Sequence, residues 1–160
     1  DRRRDCRGAS RTPRPTAVRV VLDTVILVRG LINPFSLWGR VIFDFAGRYR
    51  WLVSPAVVDE YVDVLTRPEL VRKYRTVATR DLDTVLGNLA TALVVEPSAT
   101  PAVCRDPEDD KLLAAALAGT AQFIVSEDLD LLDLGSYEGI QIATAAAFLR
   151  TLEAQVGPMA

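Results

Sequence analysis

Whatever chemistry this 160-residue chain performs has to be built largely from carboxylates, because it contains no histidine. That count removes Ser-His-Asp and Cys-His nucleophile systems, imidazole acid–base pairs and the usual His-bearing zinc sites. Acids instead recur at four places: Asp23, Glu60, the run Asp106–Asp110, and Asp128 with Asp130. Crowded into one partly buried cleft, such groups would repel strongly unless some were protonated or a cation bound among them. Hard oxygen donors without His or Cys select magnesium or manganese.

The elements that must position these acids follow from pattern. Val18 to Leu22, apolar except for Arg19, reads as a central parallel strand ending on Asp23, and the carboxyl edge of such a sheet is where α/β proteins place ligands. Val25 to Ile32 has helical length. Asn33-Pro34 breaks it, and Ser36 caps a second helix to about Gly47. The aromatics there, Phe35, Trp38, Phe43 and Phe45, are expected in the core. Trp51–Val53 is a second strand, and Ser54-Pro55 opens a helix whose stripe is Val57, Val58, Tyr61, Val64 and Leu65. Glu60 lies on the border of that stripe, where it can face a cleft, although periodicity alone favours a solvated helix glutamate.

Thr79 and Asp81 start a helix to about Ala92, and Leu93–Val95 is a third strand. In the run Arg105–Lys111, Asp106 caps, Pro107 takes the first helical position, and Glu108 and Asp109 favour the positive end of the helix dipole. Asp110 shares the side of Leu113 and Leu117, and Asp109 the side of Leu112 and Leu113, so spacing does not choose between them. Gln122–Val125 is a fourth strand, followed by Ser126, Asp128 and Asp130, which also suit the capping of a short helix to Leu134. Gly139–Ala143 is expected as the last, edge strand, and Thr144 as the cap of a terminal helix to about Glu153. Strands alternating with helices imply a single α/β domain, with a mostly parallel sheet of four or five strands and helices on both faces.

Composition narrows the setting. Six of the 19 basic residues fall before Thr16, in a stretch with few large apolar groups, so residues 1–16 are expected as a flexible basic tail, 17–155 as the folded domain and 156–160 as a second tail. The remainder carries 13 basic against 19 acidic residues, unlike a general nucleic-acid binder, and any action on nucleic acid would need a cation in the cleft. Two distant cysteines, Cys6 and Cys104, argue against a disulfide framework and for a reducing, cytoplasmic setting. No apolar run reaches the roughly 18 residues of a membrane span.

Val18–Thr24, Ser54–Tyr61, Arg105–Lys111 and Ile124–Leu132 resemble the four signature segments of PIN-domain ribonucleases, and in particular the VapC-type toxins of bacterial and archaeal toxin–antitoxin pairs. The resemblance spans about Val18 to Leu149. It implies Asp23, Glu60, Asp110 and Asp128 as catalytic, metal-holding acids for Mg2+ or Mn2+, supported by Thr24, Ser126 and Asp130. It thereby favours Asp110 over Asp109. It also implies metal-dependent hydrolysis of RNA phosphodiester bonds, a cognate antitoxin as partner, and a homodimer. Val25 departs from the family, which usually has Asn after the Asp-Thr pair; losing a supporting polar group of that kind costs about 10- to 100-fold in metal affinity or activity. The alternative is therefore a catalytically weakened PIN-like module that only binds an antitoxin or RNA.

Overall fold

A computed structural model describes residues 17–74 and 79–155; the tails expected at 1–16 and 156–160 lie outside the described residues. Six strands form one sheet in the order β3-β2-β1-β4-β6-β5. They are β1 (Val18–Leu22), β2 (Tyr49–Val53), β3 (Leu93–Val94), β4 (Phe123–Val125), β5 (Ser136–Tyr137) and β6 (Ile140–Ala143). All neighbours pair in parallel except β5 and β6. Successive strand residues point to opposite faces, and Val20, Val21 and Leu22 are all fully buried, so both faces of the central strand are covered.

The sheet thus has one strand more than the four or five expected, and β6 is not its edge. Tyr137 pairs with Ile140 across Glu138 and Gly139, which both have positive φ (48° and 80°). That is the backbone a two-residue hairpin turn demands, and it adds the short antiparallel β5 outside β6.

Around the sheet lie α1 (Thr24–Ile32), α2 (Leu37–Gly39), α3 (Pro55–Leu65), α4 (Pro68–Tyr74), α5 (Thr79–Ala90), α6 (Asp110–Ala118), α7 (Leu129–Leu134) and α8 (Ala145–Gln155). Several begin on a side-chain cap. Ser54 accepts from the Val57 amide, with Pro55 at the first position of α3, and Thr144 accepts from the Ala147 amide at α8. The single second helix expected from Ser36 to Gly47 is three short pieces. Ser36 caps α2, which widens into a π turn over Arg40–Asp44 and then tightens into a 3-10 turn over Ala46–Arg48. Gly39 permits this path, because a Cβ there would stand 2.0 Å from the Pro34 carbonyl oxygen.

Of the aromatics expected in the core, Phe45 is buried and Trp38 and Phe43 pack against the core half-buried, but Phe35 at the α1–α2 bend is 96% exposed. Among the described residues no single helix is long and apolar enough to cross a membrane.

Candidate active site

The site grows from two strand ends that finish side by side. Leu22 of β1 is in register with Val125 of β4, and the Asp23 amide donates to the Val125 carbonyl at 2.9 Å. The next residues, Asp23 and Ser126, therefore face each other, and Ser126 Oγ donates to Asp23 Oδ2 at 2.6 Å. The same hydroxyl accepts from the Asp128 amide at 3.0 Å, so one fully buried serine holds both the first acid and the loop that carries Asp128. Asp128 in turn caps α7, its Oδ1 accepting from the Asp130 amide at 2.9 Å.

Glu60 arrives from α3. Buried Tyr61 donates its hydroxyl to the Leu22 carbonyl, docking the helix against the end of β1. Glu60 Oε2 then accepts from Thr24 Oγ1 at 2.7 Å, and Glu60 Oε1 pairs with Lys111 Nζ at 3.0 Å. Lys111 stands in the first turn of α6 and also reaches Glu108 Oε2 at 2.9 Å. Asp130 sits farther out, its Oδ1 3.3 Å from the exposed Arg105 guanidinium.

The acidic run divides its carboxylates between two destinations. Asp110, 5% exposed, turns Oδ1 onto the amides of Cys104 (2.7 Å) and Val103 (3.1 Å). Burial disfavours its charge, but the Cys104 and Val103 amides and the Cys104 thiol outweigh that and hold its pKa below the ordinary carboxylate value. Asp109 goes the other way. Its pKa is raised to about 7, first by burial and then by repulsion from Asp128, Asp23, Asp106 and Glu60. Its Oδ2 is buried with no hydrogen-bond partner, alone in that respect among the described side chains. Of the two, Asp109 is thus the one that Asp128, Asp23 and Glu60 repel, while Asp110, which the resemblance favours, gives its Oδ1 to the 103–104 loop.

Spacing left Asp109 and Asp110 undecided, since a wheel assumes one α-helical period through Pro107–Lys111. Residues Pro107–Asp109 instead form a 3-10 turn ahead of α6, and its tighter winding re-aims Asp109. Burial also pushes the Asp23 carboxyl up; Ser126 opposes this, Glu60 adds to it, and the N–H groups of Val25 and Thr24 ease it.

The PIN domain family matches residues 19–130. The chain belongs to the PIN domain family. An uncharacterized protein of Methanocaldococcus jannaschii is 29% identical over 118 residues, covering 73% of this chain and 75% of the relative. The same fold occurs in a crystal structure of VapBC2 from Rickettsia felis bound to a DNA fragment from their promoter, with a TM-score of 0.52 at 15% identity over 79% of this chain and 98% of that one.

Within this PIN domain the carboxylates suit a divalent cation by chemistry: all-oxygen donors, repulsion unrelieved at Asp109, and one buried oxygen without a partner. Among the described residues no three Cys, Asp or Glu side chains already stand as a finished metal cage. An ion held here would have to draw the carboxylates inward. Sequence reasoning passed over Lys111 as a site residue, although a signal was present: it is one of two lysines among 19 basic residues, and it directly follows the acidic run.

Proposed function

We propose that this PIN domain hydrolyses RNA phosphodiester bonds with Mg2+ or Mn2+, as the toxin of a toxin–antitoxin pair in the cytoplasm. Asp23, Asp109 and Asp128 would hold the ion, with Glu60 beside them. The observation that carries this reading is the orphaned Asp109 Oδ2, buried and repelled by Asp128, Asp23 and Glu60. When bound, such an ion supplies Lewis-acid chemistry, acidifying water and stabilising charge on a phosphodiester.

The chain's own residues prepare that chemistry. Ser126 fixes the Asp23 carboxylate and the Asp128 loop together, and Thr24 orients Glu60. The proton that Asp109 keeps to about pH 7 is one that a cation would displace. Membership in the PIN family supports the nuclease assignment, and the fold shared with VapBC2 supports an antitoxin as partner. The test is cleavage of single-stranded RNA with Mg2+ or Mn2+, compared with added chelator and with Asp23→Asn. Cleavage only by the wild-type chain with metal is expected; equal cleavage in all three samples overturns the reading.

A second reading, a PIN-like module that binds an antitoxin or RNA without cutting, is favoured by one residue. Val25, where the family usually carries a polar side chain, packs half-buried against the core beside Asp23. Calorimetry with Mn2+ separates the two, since a pure binding module takes up no metal through Asp23.

A further inference from the structure

Lys111 has no role in the proposed hydrolysis, yet it reaches the cleft. Its ammonium bridges Glu60 on α3 and Glu108 in the turn before α6, at 3.0 and 2.9 Å. Both it and Glu60 are largely withdrawn from water, with side-chain exposures of 19% and 26%. The other Glu60 oxygen is occupied by Thr24, so this carboxylate is engaged at both ends. The residue type matters as well. This chain uses arginine for 17 of its 19 basic residues, and lysine at only Lys73 and Lys111. A guanidinium would clamp Glu60 through a planar fork of donors, whereas an ammonium is a compact point charge on a flexible stem. A point charge is what a small divalent cation can replace.

Resting on the metal-dependent reading above, we infer that Lys111 is a displaceable internal cation: it holds Glu60 in the absence of metal and yields it when a divalent ion arrives. Its charge offsets that of Glu60, and for the same reason it opposes an ion there. Metal loading is then an exchange of one cation for another at Glu60. That regulates the site, because anything drawing Lys111 away, such as a substrate phosphate, favours loading.

Binding of Mn2+, followed by electron paramagnetic resonance of the free ion, tests this in the wild-type chain, Lys111→Met and Lys111→Arg. A strut that only props the site would leave metal binding unchanged or weaker when removed. A competing cation gives the opposite sign: Lys111→Met binds Mn2+ more tightly, by about tenfold for a charge this close, and Lys111→Arg binds no more tightly than wild type. Unchanged or weaker binding by Lys111→Met overturns the inference while leaving the nuclease reading intact. No uptake by the wild-type chain sinks both. Should Lys111→Met fail to fold, the wild-type ammonium reports directly. Its 15N resonance, identified by its loss in Lys111→Arg, moves saturably with Mg2+ if Lys111 is displaced, and an unmoved signal in a metal-loaded chain overturns the inference.

Discussion

Asp109 and Asp110 are consecutive in the chain, yet their carboxylates serve different surroundings: Asp110 is satisfied by the amides of Val103 and Cys104, while Asp109 keeps a buried oxygen with no partner and is repelled by Asp128 and Asp23. The change from 3-10 to α winding between them parts the two side chains. Asp110→Ala leaves two amides at the 103–104 loop without their acceptor and is expected to cost about 2–3 kcal/mol in urea denaturation. Asp110→Asn keeps an acceptor oxygen and costs about 1 kcal/mol. Equal stability of Asp110→Ala and wild type would mean that the loop is not held from this residue.

The raised pKa of Asp109 sets a pH dependence. A carboxyl whose folded value lies above its unfolded one keeps a proton that the unfolded chain has already lost. Between its ordinary 3.8 and about 7, stability therefore falls as pH rises, and above that range the loss is complete. The upward shift at Asp23 acts in the same direction. Asp109→Asn carries no such charge, so its midpoint of thermal unfolding should exceed that of wild type at pH 8 and approach it at pH 4. A variant less stable than wild type at pH 8 would contradict the assignment.

Ser126 joins Asp23 to the Asp128 loop through one hydroxyl. Removing it in Ser126→Ala lets the Asp23 carboxyl rise further, since this hydrogen bond is the main influence lowering it. Expected effects are a loss of about 1–2 kcal/mol in stability and of about 10- to 100-fold in Mn2+ affinity, read by chemical denaturation and calorimetry. Unaltered metal affinity would show that Ser126 does not orient Asp23.

Tyr61 sits behind the site and fixes how α3 presents Glu60. Its hydroxyl donates to the Leu22 carbonyl and accepts from Trp51 Nε1 at 3.4 Å, all within the core. Tyr61→Phe strands both partners and should destabilise the fold by about 1–3 kcal/mol in urea denaturation. No change would mean that the hydroxyl does not tie α3 to β1.

Much of this arrangement was legible where local chemistry is strict. A β-branched run closing on an acid gives β1 and Asp23, and Ser54-Pro55 and Asp106-Pro107 mark their helical starts through cap and proline geometry. What escaped depends on winding or on very short pairing. A helical wheel carries one period and cannot register the 3-10 turn that separates Asp109 from Asp110, nor the π turn after α2. The two-residue strand β5 is too brief for alternation to show, and only Glu138-Gly139 hinted at the hairpin beyond it. Phe35 illustrates the weakness of residue type alone, since an aromatic expected inside stands almost wholly exposed at the bend where the chain reverses.

Titration of Mn2+ into the wild-type chain, Asp109→Asn and Asp110→Asn tests most directly whether these carboxylates form a metal centre around Asp109. Wild type and Asp110→Asn are expected to take up the ion, and Asp109→Asn to lose it by at least about 10-fold in affinity, as removal of a ligating charge requires. Retention of metal by Asp109→Asn with its loss in Asp110→Asn would contradict that centre.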